Sequence, residues 1–405
     1  MHKATSRVIN KTSSILNTFL RDEAIGGRLI LLAALLSVIV VNSPLVDIYA
    51  SFWHTNLTIG FGSFAVSQDL LHWLNEGLMT IFFFVVGLEV RRELTVGELK
   101  KASAAALPVA AAIGGMLVPA MIYMAINTGE PGFKGWGIPM ATDIAIAVGV
   151  LSLLSKHIPK SLKVFLLTLA IVDDIGAVLV IAMFYTSEIH LGALLLATLL
   201  VPLGLLIKRL KRIQMPIFFV FSVCLWFFAY KAGIVPSIVG IILAMLVPAR
   251  RIEGAKASTA ETLEKINLPL STFVIVPLFA FANAGVILAT SVFDTRVAAL
   301  VGWGIFMGLF IGKVLGIGFA TWLMIRFKFS ALPKNITWQH IIGVGFLAGI
   351  GFTISIFITS LAFESSPELI HAAKISIFIT SILSGIVGLV ILRLTKRPPK
   401  KSFKQ

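Results

Sequence analysis

The chain has 405 residues, 58% hydrophobic and only 13% charged, with a mean hydropathy of +0.97; soluble domains are roughly a quarter charged, so a water-soluble fold is excluded. A membrane-spanning helix takes about 20 apolar residues, and the apolar runs leave no length for a sizeable soluble domain. The net charge of +15 would suggest nucleic acid in a soluble protein, but in a bilayer basic residues report orientation first, and the single Cys224 cannot form an internal disulfide.

Residues 1–25 are polar and basic with an amphipathic stretch, and read as a cytoplasmic surface helix rather than a cleaved leader. A single transmembrane domain is expected over 26–394, all-α and polytopic, with spans near 26–42, 71–90, 103–127, 136–155, 162–186, 190–207, 214–230, 233–249, 268–289, 297–325, 340–363 and 371–394, which makes twelve. Placing Lys and Arg on alternate sides of these spans puts 28 of 34 on one side, among them Arg91, Arg92, Lys208, Arg209, Arg250 and Arg251. By the positive-inside rule that side is cytoplasmic and holds both termini. The basic tail 395–405 adds attraction to anionic lipid.

Between the first two spans, residues 43–69 contain apolar residues alternating from Leu57 to Val66, broken by Gly60 and Gly62. This reads equally as an ordinary surface loop or as a small periplasmic β-hairpin, marginal alone and suited to pairing with a second copy. At the cytoplasmic end of the second span, Glu89-Val90-Arg91-Arg92-Glu93 reads either as a solvated helix end or as an electronegative entrance, with Glu76 set deeper and Glu264 joining from the loop before the ninth span.

Charges within spans cost about 2.5–3.5 kcal/mol each on insertion scales and so need a reason to be there. Four stand out: Asp143, Asp173, Asp174 and Lys313. Asp173 and Asp174 are adjacent within the apolar run Val164 to Phe184. Helix-to-helix glue would need one short polar group, not two acids. Two neighbouring carboxylates in low dielectric cannot both carry charge cheaply, so a proton or a metal ion has to sit with them. Their hard oxygens suit Na+ or Li+, and the hydroxyls of Thr142, Thr353 and Ser355 can supplement them. Lys313, deep in the tenth span, wants a carboxylate partner; its Gly312-Lys313 pair lacks the Ser or Thr of a nucleotide-binding loop. Asp143 follows a stretch broken by Gly135, Gly137 and Pro139, and a matching interruption with Gly349, Gly351, Thr353 and Ser355 lies in the eleventh span.

Together, Gly87-Leu88-Glu89-Val90-Arg91-Arg92-Glu93-Leu94, Ala141-Thr142-Asp143-Ile144-Ala145, Val172-Asp173-Asp174-Ile175-Gly176, Phe279-Ala280-Phe281-Ala282-Asn283-Ala284-Gly285 and Gly349-Ile350-Gly351-Phe352-Thr353-Ile354-Ser355 resemble the NhaA-type Na+/H+ antiporters, from about residue 70 to 365. The resemblance implies a bacterial inner membrane and a homodimer. It implies electrogenic exchange of two H+ for one Na+ or Li+, with roles in pH homeostasis and salt tolerance, no cofactor and no enzymatic reaction. It also implies inverted repeats in spans 3–5 and 10–12, whose discontinuous helices, spans 4 and 11, cross at the binding site; that architecture belongs to the family and is no separate derivation. Carried over by motif, Asp174 is the principal ion ligand with Asp173 beside it and Thr142 lining the site. Lys313 pairs with Asp173, and Asp143 with Lys313 balances the ends of the broken helices. Glu89, Arg92, Glu93 and Glu264 form a pH-responsive cluster. One departure is Gly233-Ile234-Val235 where the family commonly has Gly-Val-His, which puts the usual pH response in question.

Two other classes compete. A cation channel also uses acids and polar breaks, but conduction rarely needs a buried Lys facing them. An intramembrane aspartyl protease needs its acids facing across a cleft, whereas helix neighbours diverge by about 100°.

Overall fold

A computed structural model describes residues 23–395 apart from 63–64, 96–101, 155–157, 186–189, 210–214, 250–257, 288–289 and 334. The expected surface helix over 1–25 and the basic tail 395–405 therefore lie almost wholly outside the described residues.

In lipid every backbone N–H and C=O must find a partner within the protein, and helices do this locally. The chain accordingly runs as α1 (Glu23–Val41), α2 (Val46–Trp53), α3 (Leu70–Thr95), α4 (Ala102–Ile126), α5 (Ile144–Ser152), α6 (Lys160–Phe184), α7 (Leu191–Arg209), α8 (Met215–Lys231), α9 (Ser237–Leu246), α10 (Thr259–Asn283), α11 (Arg296–Arg326), α12 (Trp338–Ala348), α13 (Phe352–Ala362) and α14 (Pro367–Leu394). A 3-10 segment, Pro131–Met140, leads into α5. Among the described residues six helices are long and apolar enough to cross a membrane, rising to nine if each of three bent pairs counts as one crossing. Three shorter apolar helices accompany them.

Two of the bent pairs meet in the interior of the bundle. The segment Pro131–Met140 joins α5 at 42°, and α12 joins α13 at 45°. Gly and Pro dilute helical propensity at both bends, and the backbone groups released there are taken up across the gap between the pairs. Asp143 N–H donates to the Ile350 carbonyl at 2.6 Å, Thr142 Oγ1 to the Ala348 carbonyl at 2.8 Å, and Ser355 Oγ to the Ile138 carbonyl at 2.8 Å.

Around this crossing pack α4, α6, α11 and α14. The α4–α11 contact is backbone against backbone: a Cβ on Gly114 would collide with the Gly316 carbonyl oxygen, so only glycine allows the approach that brings Lys313 over the crossing. Just before Lys313, Met307–Gly312 is wound as a π-helix, which shifts the facing of the residues after it.

At the other end of α3, Asn56–Ile59 (β1) and Val66–Asp69 (β2) pair antiparallel, Asn56 opposite Asp69 and Ile59 opposite Val66. This hairpin is exposed but tied down: Trp73 Nε1 donates to the Leu57 carbonyl at 2.9 Å, and Gln68 Nε2 to Tyr230 Oη at 2.5 Å. Trp73, Trp226 and Tyr230 stack behind it. Its base is closed by Asp69, whose carboxylate caps α3 by accepting the His72 N–H at 2.8 Å and lies 2.9 Å from His54 Nδ1 and 3.2 Å from His72 Nδ1.

Burial pushes the Asp69 carboxyl up, but the His72 N–H and the two imidazoles outweigh it and hold the group below the usual carboxylate range. A lowered carboxylate stabilises the fold above its unfolded-state value and ceases to as pH falls through the folded one. The hairpin base should thus keep its closure at neutral pH and lose it only in strong acid. Asp69→Ala removes a helix cap, a loss of about 1 kcal/mol, and amide hydrogen exchange over residues 56–72 should accelerate about fivefold at pH 7, with the rest of the chain unchanged.

Candidate functional site

The site lies where the crossing meets the middle of α6. Lys313 Nζ sits 2.6 Å from Asp173 Oδ2 and donates to Thr142 Oγ1 at 3.0 Å and to the Met140 carbonyl. All of these groups are sealed from solvent, Lys313 at 1% and Asp173 at 0% exposure. Burying an ion pair this deep is costly, and the ammonium side is fully compensated: a carboxylate, a hydroxyl and a carbonyl use its three donors.

Asp174 is treated differently. Turned about 100° from Asp173 by the helix repeat, it is buried to 3% exposure yet lines a cavity of about 240 Å³. Its Oδ1, like Asp173 Oδ1, has no hydrogen-bond partner among the described residues. The cavity walls are mainly apolar, including Phe82, Val85, Ile144, Leu167 and Val276. Its polar lining includes Asp174, Asp143 and Thr353 and, with them, Glu89, Arg92 and Glu264, besides Ser271 and Thr272.

Asp143 ties two helices together rather than offering free oxygens. Its Oδ1 accepts the Ile146 N–H at 3.1 Å, capping α5, while its Oδ2 accepts the Thr353 N–H at 3.1 Å and Thr353 Oγ1 at 2.6 Å, capping α13. One carboxylate thereby faces the positive ends of two helices, an arrangement that favours its charge. Ser355 is engaged by the Ile138 carbonyl, and Gly349 and Gly351 lie at the bend itself.

Toward the end of α3, Arg92 gathers three carboxylates: Nε lies 3.2 Å from Glu264 Oε1, Nη1 3.4 Å from Glu93 Oε1 and Nη2 3.7 Å from Glu89 Oε1. Of the residues read as one entrance group, Glu76 does not come to this cluster. It stands 13 residues before Glu89 on the same helix, about 20 Å away at 1.5 Å per residue, beside His72 and facing Glu364. Both acids lie on one span, and residue type alone carries no measure of which end each one occupies. Arg91 has a role that its letter does not show: its guanidinium donates to the Ala244 carbonyl at 3.0 Å and to that of Met245, closing the end of α9. Two adjacent arginines thus do different work, and the Met140 carbonyl, a backbone group, leaves no trace in residue type.

The profile of the family described as Na+/H+ antiporter 1 matches residues 17–392. The chain belongs to the Na+/H+ antiporter 1 family. It is 43% identical to a protein named Na(+)/H(+) antiporter NhaA 2 from Clostridium beijerinckii, over 96% of each chain. It is 42% identical to the Na(+)/H(+) antiporter NhaA of Bordetella parapertussis, over 95% of this chain and 97% of that one. The protein of the same name from Shigella dysenteriae is also 42% identical, over 95% and 99%. As a member of this antiporter family the chain is a multi-pass membrane protein whose relatives are transporters, not enzymes.

Removing one partner of a buried pair strands the other. Lys313→Ala should therefore destabilise the protein by about 3–5 kcal/mol, read as a fall of several degrees in the melting temperature of the detergent-purified protein, and Lys313→Arg should recover part of the loss.

Proposed function

We propose that the protein is a secondary antiporter exchanging Na+ or Li+ against H+, with Asp173 and Asp174 as the shared binding groups and Thr142 contributing its hydroxyl. The observation that carries this reading is the asymmetry of the acid pair: Asp173 is paired with Lys313 and lies off the cavity, while Asp174 lines the cavity and makes no ion pair among the described residues. A buried carboxylate in that position holds a proton or a cation, and a site that accepts either one exchanges them. The same asymmetry supplies the count. With a proton on Asp174 and Lys313 charged the site is neutral; binding Na+ between the two carboxylates displaces the Asp174 proton and removes the partner that keeps Lys313 charged. Two H+ leave as one Na+ arrives, and the cycle moves net charge.

Family membership supports the wider arrangement. The chain crosses the membrane twelve times, with both ends cytoplasmic in a bacterial inner membrane, and spans 3–5 and 10–12 are inverted repeats. Pro131–Met140 with α5, and α12 with α13, are each one discontinuous crossing, and access alternates around them. The Arg92 cluster lies at the cytoplasmic mouth and attracts cations. The exposed hairpin, with Leu57, Ile59 and Phe61 on its surface, pairs with its copy in a homodimer, and anionic lipid meets the basic cytoplasmic face. With valine rather than histidine at position 235, proton competition at the acid pair is the main source of pH dependence, with the Glu89, Arg92, Glu93 and Glu264 cluster contributing.

Asp174→Asn keeps size and hydrogen bonding but neither releases a proton nor offers full charge to a cation. In proteoliposomes it should show less than a few per cent of wild-type Na+-induced proton movement while folding normally; substantial exchange would remove Asp174 from its role. Under the two-for-one count an imposed membrane potential should drive exchange with no pH gradient, and a rate indifferent to potential would mean one for one. Because protons compete with Na+ for the same oxygens, the apparent Na+ affinity should improve as pH rises from 6 to 9, with the saturated rate changing little until protons become scarce.

A further inference from the structure

The segment Pro131–Met140 is poorly equipped to hold its own shape. It contains three glycines and two prolines in ten residues and is wound as a 3-10 helix, whose internal bonds are strained beyond three or four residues. Its carbonyls are instead taken one by one by side chains of other helices. Tyr123 Oη, on α4, donates to the Gly132 carbonyl at 2.7 Å, and Tyr185 Oη donates to the Lys134 carbonyl at 2.8 Å. Ser355 then takes Ile138, and Lys313 takes Met140.

Tyr185 differs from the others in two respects. It follows the last residue of α6, the helix that carries Asp173 and Asp174, and it holds the segment from both sides of its hydroxyl, accepting the Gly137 N–H at 3.1 Å while donating to Lys134. The fit is close: a Cβ on Gly137 would lie 2.8 Å from Tyr185 Oη, so the segment seats on the phenol only with glycine there. Three residues on, Met140 meets Lys313, and Thr142 meets Lys313 from the next turn of chain.

We propose that Tyr185 is a positioning residue for ion binding, joining the segment Pro131–Met140 to the aspartate-bearing helix so that Thr142 and the Met140 carbonyl keep their register with Asp173 and Asp174. The inference rests on the reading of the acid pair as the ion site. With the phenol in place, the segment is tied to the aspartate-bearing helix; without it, the segment keeps Tyr123 at its far end, Ser355 on Ile138 and Lys313 on Met140, but loses its direct hydrogen bonds to the end of α6, and the register of Thr142 with the aspartates loosens. Such slack weakens the bound state more than it slows the subsequent step, because both carboxylates and Lys313 remain.

The test is Tyr185→Phe, which removes one oxygen and keeps the ring, in the full chain reconstituted into proteoliposomes with Na+ titrated at fixed pH. The loss of two hydrogen bonds should raise the KM for Na+ about three- to tenfold, with the maximal rate within about twofold of wild type. Tyr123→Phe, which frees the same segment at its far end, should leave KM within about twofold. An unchanged KM in Tyr185→Phe, a fall in maximal rate without a change in KM, or an equal rise in KM in Tyr123→Phe would each overturn the assignment. Failure of the acid-pair reading looks different, since it shows as exchange surviving in Asp174→Asn whatever Tyr185→Phe does.

Discussion

A charge inside a bilayer must be paired, and Lys313 against Asp173 is the pair on which this molecule is organised. Its components come from helices far apart in the chain, 140 positions apart, and Thr142 and the Met140 carbonyl occupy the remaining ammonium donors, which offsets part of its cost. The glycine contact of α4 with α11 sets Lys313 at the right depth, and the π-helical turn before it sets its facing. Asp174, one helix position further, is what the pairing leaves over. It is left lining the cavity with an oxygen that has no hydrogen-bond partner among the described residues, the feature on which the proposed exchange rests.

The bends between the helix pairs are tolerated for a related reason. Backbone groups freed at a bend in lipid are costly, and here the carbonyls of Ile138, Met140, Ala348 and Ile350 are answered by groups that also line or support the candidate site. Thr142 bonds the Ala348 carbonyl while receiving Lys313; Asp143 bonds Ile350 through its N–H while capping two helices through its carboxylate. Scaffold and binding groups are therefore not separable. A substitution at Thr142 or Asp143 disturbs the bend and the ion pair at once, and loss of function at either position is a statement about both.

The third helix shows how one element serves two faces. At one end Glu89, Arg92 and Glu93 meet Glu264 beside the cavity, while Arg91 bonds the last carbonyls of α9. At the other, Asp69 caps the helix and closes the hairpin. Fixed at both ends, α3 is a strut along which the cavity wall of Phe82, Val85 and Val86 is aligned.

The residues by themselves determined that this chain lives in lipid and roughly where its apolar runs lie, and they singled out Asp143, Asp173, Asp174 and Lys313 as candidate site residues. Those conclusions depend on solvation, and the penalty for a charge in an apolar run is local enough to be read from a string. Motif order then pointed to a family, which the whole-length matches show. What spacing left open was decided by packing. Asp173 and Asp174 are indistinguishable as letters; family resemblance alone assigned Lys313 to Asp173, and the physical reason lies in the packing, since the helix turns the two acids about 100° apart and α11 brings Lys313 to Asp173. Arg91 and Arg92 part in the same way, and Glu76 lies at the opposite end of the helix from Glu89 and Glu93. Tyr185 and the carbonyls of Met140 and Ile350 could not be read at all. Composition gives the cost of burying a group, whereas its partner is set by the relative rotation and depth of helices that are distant in sequence, and that information exists only once the helices are packed.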